Sequence, residues 1–321
     1  MSATADHLRT LAAVVDGGTF EAAASALRIT PSAVSQRIKA LETQSGRVLV
    51  RRSKPVEATQ AGSVLLRLAR QLALLEAEAD AALAGGPGER RGGSPGGPGA
   101  LVSVPLVVNA DSLATWVLPA LARVEGVAFE LVLDDQEHTL DRLHDGTAMA
   151  AIGSDSEPVQ GCTVTALGSM TYRAVASPEF VARWCPGGWD ASAAATAPVL
   201  VFDRKDALQD RYLAAYAPGA RPPRHFIPAS TQFVDAAVRG LGWGMLPDLQ
   251  ADALVADGSL VVLDDERAEE VPLYWHQWSL RSRALDAVAG AIAAESARVL
   301  RPTSSTGRGR ARPRSGRRSP G

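Results

Sequence analysis

The chain lacks most of the features on which enzymes and secreted proteins depend. It contains only two cysteines in 321 residues, Cys162 and Cys185, and they show neither CxxC spacing nor nearby histidine clusters, which excludes a disulfide framework and a zinc site. No HExxH, no P-loop sequence, no GxGxxG after a predicted strand and no GxSxG at a strand-to-helix turn is present. The usual signatures of metal-dependent, nucleotide-binding and hydrolytic enzymes are therefore missing. We expect no enzymatic activity, no metal and no cofactor.

Long hydrophobic runs are missing as well. No apolar stretch reaches the roughly 18 residues that a membrane span requires. The N-terminal sequence MSATADHLRT is polar and contains an acid, unlike a secretory signal. We expect a cytoplasmic protein with no membrane partner.

Charge is distributed unevenly along the chain. Residues 1–100 contain 12 Lys or Arg and 9 Asp or Glu, residues 101–300 contain 14 and 26, and residues 301–321 contain 7 Arg and no acid. A basic end suits a polyanion such as DNA, whereas an acidic body suits either solubility or a cationic ligand. Charge by itself does not distinguish solubility from a cationic ligand as the role of the acidic body.

Composition divides the chain into domains. Residues 1–84 have helical periodicity, and the Gly- and Pro-rich stretch GGPGERRGGSPGGPGA at 85–100 predicts a flexible hinge. Beyond it, β-rich runs alternate with helical stretches, as in an α/β sheet protein. The predicted strands are Leu106–Val108, Phe129–Leu133, Ala148–Ile152, Val199–Phe202 and Leu260–Leu263. The low-complexity tail at 301–321 is expected to be disordered.

Three short helices are predicted near the N-terminus. The first covers about Leu8–Val15 and ends at Gly17-Gly18, and Thr19 caps the second, FEAAASALRI. The third, TPSAVSQRIKALE, begins with a Thr-Pro pair that favours a helix start. Its apolar face consists of Val34, Ile38 and Leu41, and its polar face of Ser32, Ser35, Gln36 and Lys39. Gln can read adenine edges, and Ser and Lys can reach bases or phosphates.

A basic β-prone run, RVLVRRSKP at 47–55, follows and predicts a wing. Between positions 28 and 54 there are seven Lys or Arg and a single acid, Glu42, which is typical of a surface that contacts a DNA backbone. The expected DNA contacts are Arg28, Thr30, Ser32, Ser35, Gln36, Arg37, Lys39, Arg51 and Arg52. Any one of these helices alone could equally be a solvated amphipathic helix; the ordered set favours a winged helix-turn-helix.

After Thr59, apolar residues recur at alternating spacings of three and four. Leu65, Leu68, Leu72 and Leu75, continued by Ala79 and Ala82, fit the seam of a coiled coil. Packing of this helix on its own domain is the alternative. Pairing with a second copy would place two recognition helices on a pseudo-palindromic site.

This order of elements resembles the LysR-type transcriptional regulators, and AAASALRITPSAVSQRIKALE is similar to that family's signature. The segments VNADSLATWVLPALA, FVDAAVRGLGWGMLP and YWH resemble the ArgP/LysG subgroup of lysine- and arginine-responsive regulators. The Gly/Pro hinge is longer than that family's usual one, and the arginine-rich tail is an addition.

The resemblance implies a multidomain protein: an all-α winged helix-turn-helix with a coiled-coil linker helix, then an α/β effector domain of two subdomains like type 2 periplasmic binding proteins. The corresponding ranges are 1–58 for DNA binding, 59–84 for the linker helix, 85–100 for the hinge, 101–172 with 271–300 for subdomain 1, 173–270 for subdomain 2, and 301–321 for the tail. It further implies homodimers that assemble into tetramers, RNA polymerase as a partner, and control of a basic amino acid exporter.

The expected effector is L-lysine or L-arginine, bound between the subdomains. The turn after Val108 directs backbone N–H groups to a cleft, where Ser112 and Thr115 could bind an α-carboxylate and Asp111 either caps the helix or meets the α-ammonium. An acid for the cationic side chain is expected at a strand end, from Asp134, Asp135 or Asp203. The remaining expected contacts are Trp116, Ser230, Thr231, Gln232 and Phe233.

Three alternatives remain open. The chain could be a nucleoid or replication-control protein that binds DNA with little sequence choice, or a LysR-type regulator with a different metabolite as effector. A transport-type binding protein is the third, although the helix-turn-helix argues against it. The tail could add non-specific DNA affinity or be a solvated appendage.

Overall fold

The computed structural model of the chain describes residues 4–83, 101–134 and 139–302, with the side chains of residues 139–141 left aside. The predicted hinge at 85–100, the tail from 303 onward and Asp135 lie outside these residues. Among the described residues, no helix combines the length and apolarity that a bilayer span requires.

The N-terminal domain has the three predicted helices. They are α1 (Ala5–Gly17), α2 (Phe20–Leu27) and α3 (Pro31–Ser45). Thr4, Thr19 and Thr30 each accept a hydrogen bond from the backbone N–H three residues later, which satisfies a donor that the first helical turn leaves free. Gly18 ends α1 at φ +65°, a conformation that glycine adopts without strain.

The apolar faces of these helices meet in one core, as the spacing predicted. Its buried members include Leu11, Val14, Val34, Ile38 and Leu41. A short antiparallel pair, β1 (Val50–Arg51) and β2 (Glu57–Ala58), forms the wing. The predicted wing run at 47–55 therefore contains only the first strand and the turn.

The linker helix α4 (Gln60–Leu83) begins where Thr59 caps it: the Thr59 hydroxyl accepts from the Gly62 N–H at 3.0 Å and donates to the Val48 carbonyl at 2.7 Å. Beyond its first turns, α4 packs on the effector domain, where Leu74 joins the main core. Arg67 donates to the carbonyls of His144 at 2.6 Å and Gln160 at 2.8 Å. The helix therefore contacts both the N-terminal domain and the C-terminal α/β domain.

The effector domain alternates strands and helices, as predicted. Its strands are β3 (Val102–Val108), β4 (Val127–Leu133), β5 (Ala150–Gly153), β6 (Cys162–Ala176), β7 (Val199–Val201), β8 (Arg224–Phe226), β9 (Gly244–Pro247), β10 (Val261–Val262) and β11 (Ala268–Trp278). Its helices are α5 (Ala110–Ser112), a π-helical turn (Leu113–Val117), α6 (Leu118–Leu121), α7 (Thr139–His144), α8 (Pro178–Trp184), α9 (Ala191–Thr196), α10 (Leu208–Tyr216), α11 (Ser230–Val238), α12 (Asp248–Ala256) and α13 (Arg283–Val299). β6, β8, β9 and β11 have no counterpart among the predicted strands.

One mixed sheet has the strand order β10-β6-β11-β5-β3-β4, with β9 also paired to β6. β3 pairs in parallel with β4 and β5, whereas β6 and β11 are antiparallel. We call the part built on β3, β4, β5 and α13 lobe 1, and the part built on β7, β8, β9 and α11 lobe 2. The two-stranded parallel pair β7-β8 belongs to lobe 2.

The two lobes share β6 and β11. The predicted subdomain boundaries at 172/173 and 270/271 fall inside these two strands, which pair from Ala268 opposite Arg173 to Trp278 opposite Cys162. The register shifts between Leu273 and Tyr274, and Gly168, opposite Leu273, has φ +136°. The lobes are thus joined by continuous paired strands with one irregularity. The subdomain boundaries themselves stay a prediction.

A close approach at Gly62 makes the first test of the fold possible. A Cβ atom at this position would lie 1.9 Å from the Leu49 carbonyl oxygen, so Gly62→Ala should destabilise the N-terminal domain by about 1–3 kcal/mol. All six tryptophans lie between positions 116 and 278. We therefore expect an earlier loss of helical circular dichroism in urea, with the tryptophan fluorescence transition of the effector domain little changed.

Gly290→Ala is the matched control, because this exposed position in α13 has open space around it and alanine favours a helix by up to about 1 kcal/mol. Equal stability of Gly62→Ala and the wild type would contradict the described packing of α4 on β1.

A second test concerns His276, which lies fully buried on β11. Its Nε2 is 2.8 Å from the Asp155 carbonyl and must donate, since a carbonyl only accepts, while Nδ1 has no partner among the described residues. Burial lowers the pKa of His276, so the folded state resists protonation of this side chain more than the unfolded chain does. The unfolded chain takes up this proton near pH 6.5, and the folded state therefore loses stability as the pH falls below that value, by up to about 1.4 kcal/mol per pH unit.

We expect His276→Gln to show a shallower fall in the free energy of unfolding between pH 7.5 and 5.5 than the wild type, measured by urea titration. His225→Gln, at an exposed position, is the control and should keep the wild-type slope. Identical slopes for wild type and His276→Gln would show that His276 does not resist protonation.

Candidate functional site

The first candidate site is the polar face of α3. Val34, Ile38 and Leu41 point into the core, which leaves Ser32, Gln36 and Lys39 exposed and Ser35 half-buried. Exposed Gln and Lys side chains on one helix face can bind base edges and phosphates. The polar face that the sequence predicted therefore exists as a surface.

The N-terminus of α3 is shaped for an anion. Thr30 caps the helix through its hydroxyl and Pro31 occupies the first helical position. No acid lies in the first turn, so the positive end of the helix dipole is not neutralised there. Arg28 ends α2 in the left-handed conformation at φ 54° with its side chain exposed beside this turn.

Arg37 differs from the predicted role. Its guanidinium lies 3.4 Å from the Thr10 hydroxyl and 3.7 Å from the Asp6 carboxylate, both on α1. A DNA contact would require it to leave these partners, because the side chain is directed back toward the domain. The geometry makes Arg37 a tie between α3 and α1, which the spacing along α3 could not reveal.

The wing presents further cations. Arg51 is exposed and lies 3.8 Å from Glu57 on the partner strand. The Arg52 guanidinium stands 5.5 Å from the centre of the Phe20 ring, in a cation–π contact that connects the wing to α2. Both side chains lie at the surface, as the sequence predicted.

The four leucines of the predicted coiled-coil seam do not share one exposed face. Leu65 is 6% exposed and packs in the core of the N-terminal domain, and Leu72 packs partly buried against the same core. Leu68 and Leu75 are 43% and 39% exposed, and Val64 is exposed beside them. Leu65 and Leu72 thus follow the alternative of packing on the helix's own domain, and the apolar stripe left for a partner consists of Val64, Leu68 and Leu75.

The second candidate site is a cavity of about 210 Å³ between the two lobes. Lobe 1 contributes the turn after β3, Asn109–Asp111, and lobe 2 contributes the loop after β7 and the start of α11. Four of the predicted effector contacts line it: Asp111, Asp203, Ser230 and Phe233. The ends of β3 and β7 and the start of α11 thus lie at a common cavity, and its role in binding an effector stays a prediction.

Asp111 connects the lobes across this cavity. Its carboxylate accepts a hydrogen bond from the Tyr172 hydroxyl at 2.8 Å and from the Ser230 hydroxyl at 2.6 Å. Gln250 donates to the same Ser230 oxygen at 3.0 Å. Asn109, not Asp111, caps α5, since its side chain accepts from the Ser112 N–H at 2.8 Å. Of the two roles considered for Asp111, capping is therefore wrong.

Three predicted contacts lie elsewhere. Ser112 is fully buried, and the Thr115 hydroxyl donates to the Asp111 carbonyl at 2.6 Å. Trp116 is buried in the main core, and Thr115 and Trp116 line a different indentation. The cause is the turn of the helical segment that follows Asn109, which directs these side chains away from the cleft. The predicted carboxylate site on Ser112 and Thr115 is therefore wrong.

The predicted acids at strand ends are already engaged. Asp134 forms an ion pair with Arg142 at 2.7 Å. Asp203 lines the cavity, but one of its oxygens accepts from the backbone N–H of Lys205 at 2.7 Å and of Asp206 at 2.9 Å. On α11, Thr231 and Gln232 are exposed and are not among the residues that line the cavity.

Several lining residues have no counterpart among the predicted contacts. They are Tyr172, Lys205, Gln209, Arg211 and Gln250. Tyr172 lies on β6 and Gln250 lies on α12. These elements reach the cavity only through contacts between segments that are distant in the sequence. Lys205 and Gln209 follow the predicted strand Val199–Phe202, so the strand-end rule applied one to seven residues further along would have included them.

The described residues bring no three His, Cys, Asp or Glu side chains together as a metal site would require.

Sequence comparison adds to this geometry. Residues 5–63 match the bacterial regulatory helix-turn-helix proteins of the lysR family, and residues 102–297 match the LysR substrate binding domain.

Similarity extends over nearly the whole chain. The HTH-type transcriptional regulator LysG of Mycobacterium tuberculosis is 43% identical over 296 residues, which are 92% of this chain and 94% of the relative. The lysine export transcriptional regulatory protein LysG of Corynebacterium glutamicum is 40% identical over 304 residues, covering 92% and 99%. A full-length structure of LysG from Corynebacterium glutamicum with bound effector Arg matches with a TM-score of 0.74 at 38% identity, over 93% of this chain and 100% of that one.

Binding to duplex DNA tests which side chains of α3 contact phosphates. Lys39 is exposed whereas Arg37 is tied to α1. We expect Lys39→Gln to lower the slope of log affinity against log salt concentration by about 1, the contribution of one phosphate contact. Arg37→Gln should leave that slope unchanged. If Arg37→Gln lowered the slope as much as Lys39→Gln, Arg37 would be a backbone contact after all. Fluorescence anisotropy with a labelled duplex of arbitrary sequence measures both.

Proposed function

The chain belongs to the LysR family of bacterial helix-turn-helix regulators, and we propose that it senses a basic amino acid, L-lysine or L-arginine, and controls the gene of a basic amino acid exporter. Within that family it is a DNA-binding transcriptional regulator with an effector domain. Its relatives carry the names of transcriptional regulators and not of enzymes.

One observation carries the proposal about the effector. The cavity between the lobes presents the carboxylate of Asp111, in a chain that is 38% identical over its length to a LysG solved with bound effector Arg. An ammonium or guanidinium group requires an acceptor of negative charge when it is desolvated. The acidic composition of residues 101–300 acts in the same direction, because it attracts a cationic ligand.

The link to export rests on a relative. The LysG of Corynebacterium glutamicum is named as a lysine export regulator and aligns with 92% of this chain. A cell that senses excess lysine or arginine in its cytoplasm can respond usefully by exporting it. We therefore place the protein in the cytoplasm, on DNA upstream of the exporter gene, where RNA polymerase is its further partner.

DNA reading is assigned to the surface described above. Gln36, Ser32 and Ser35 would contact base edges, and Thr30, Lys39 and the N-terminus of α3 would contact phosphates. Arg28, Arg51 and Arg52 would contact the flanking backbone. The exposed stripe of Val64, Leu68 and Leu75 supports a homodimer through α4, because an apolar stripe on a long helix is stabilised by burial against a second copy. Two dimers would form the tetramer.

Calorimetry on the full-length protein tests the effector. L-Arginine or L-lysine should bind with a sub-millimolar dissociation constant, whereas L-leucine and L-glutamate should not. Asp111→Asn should weaken binding of the basic amino acid on the order of 10- to 100-fold, since it removes one charge-assisted contact. Asp235→Asn, at an exposed acid paired with Arg239, is the matched control. Binding of a different metabolite with neither basic amino acid bound would contradict the assignment.

Footprinting on the region between the regulator's gene and its neighbour tests the regulatory role. One protected, palindrome-like site whose pattern changes on addition of the effector supports the proposal. Diffuse, salt-sensitive protection without sequence choice would favour a nucleoid or replication-control protein instead.

A further inference from the structure

A basic amino acid brings three charged groups into a binding site: the α-ammonium, the α-carboxylate and the cationic side chain. Each loses water on binding and needs a partner of opposite charge or a set of hydrogen bonds. The cavity between the lobes therefore needs a group for the carboxylate as well as acids.

Among the described residues, lobe 1 has few groups that could bind the α-carboxylate. The helix that begins after Asn109 has three residues before the π-helical turn, and Asn109 already accepts from its third residue. The hydroxyl of Thr115 is bonded to a backbone carbonyl, and Ser112 lies buried outside the cavity. Among the described residues of lobe 1, the charged group that lines the cavity is Asp111, an anion that repels a carboxylate and attracts an ammonium.

Lobe 2 contributes cationic side chains from the loop after β7. Two aspartates of the same loop stabilise its conformation. Asp203 accepts from the backbone N–H of Lys205 and of Asp206, and Asp206 in turn accepts from the N–H of Phe202 at 3.1 Å and of Leu208 at 2.9 Å. Four backbone donors are thus satisfied by two carboxylates within the seven residues 202–208. These acids fix the loop, and the side chain that the loop adds to the cavity wall between them is Lys205.

The sequence marks this position as unusual. The chain uses arginine almost throughout for its positive charges, and its three lysines are Lys39, Lys54 and Lys205. Lys39 and Lys54 lie in the DNA-binding domain, so Lys205 is the one lysine between residues 101 and 300. The second cation on the cavity wall, Arg211, directs its Nε to Glu269 at 3.5 Å.

We propose that Lys205 is the specificity residue that binds the α-carboxylate of the effector, opposite Asp111, which binds the α-ammonium. The effector then bridges the lobes through its own zwitterionic head: the anion of lobe 1 meets the ammonium and the cation of lobe 2 meets the carboxylate. This inference rests on the proposed function, since it takes an amino acid as the ligand.

A thermodynamic cycle between protein and ligand tests it. Agmatine is arginine without the carboxylate, and cadaverine is lysine without it. We expect the wild-type, full-length protein to bind L-arginine on the order of 10- to 100-fold more tightly than agmatine in calorimetry, the effect of one charge-assisted contact. Lys205→Met should lose affinity for L-arginine by that factor and keep its affinity for agmatine. The corresponding cycle with L-lysine and cadaverine should show the same pattern.

Two control variants accompany the cycle. Arg204→Met removes the neighbouring cation, which is exposed, contacts the Phe226 ring at 5.0 Å and does not line the cavity; it should bind all four compounds like the wild type. Lys205→Arg keeps the charge and should retain most of the preference for L-arginine over agmatine. Circular dichroism verifies that each variant folds.

The outcomes separate this inference from the proposed function. If Lys205→Met still prefers L-arginine over agmatine by the wild-type factor, or binds L-arginine more tightly, the carboxylate is bound elsewhere and the inference is overturned while basic amino acid sensing stands. If the wild type binds neither L-arginine nor L-lysine, both are overturned.

Discussion

The pairing of β6 with β11 is the interaction on which the rest of the effector domain depends. These two antiparallel strands carry β5 and β3 on one side and β9 and β10 on the other, so both lobes are built on one hydrogen-bonded ladder. The irregularity between Leu273 and Tyr274, opposite Gly168, interrupts that ladder near its middle. A bulge bends a sheet locally without breaking it. The shared ladder thereby joins the two lobes, which both line the cavity.

Polar contacts then define the cleft. Asp111 on lobe 1 accepts from Ser230 on lobe 2 and from Tyr172 on the shared strand β6, so the carboxylate that we propose as the ammonium contact also bridges the lobes. A ligand that takes over these bonds exchanges one set of interlobe contacts for another. Such a site responds to the ligand through the difference in contacts between its two states.

The linker helix connects this cleft to the reading surface. α4 begins in the core of the DNA-binding domain, through Leu65, and ends on lobe 1, where Leu74 is buried. Glu78 accepts from the Ser282 hydroxyl at 2.5 Å and from the Ala284 N–H at 2.9 Å, at the start of α13. These contacts join the DNA-binding domain to lobe 1. Lobe 2 is connected to lobe 1 through β6 and β11.

The sequence by itself determined the local elements of the reader. Thr30 and Pro31 fix the start of α3, and the spacing of Val34, Ile38 and Leu41 fixes its buried face, because caps and a 3.6-residue period act within a few residues. The strand-end rule pointed to the turn after β3 that contains Asp111, whereas Ser230 was expected at the cleft from the family resemblance. Only the tertiary structure decided where the side chains at these places lie and what surrounds them. Arg37 is tied to α1, Leu65 is buried in its own domain, Asp203 holds a loop, and Lys205 lines the cavity. Each of these depends on partners distant in the sequence or on the course of a loop, which periodicity along a single segment does not encode.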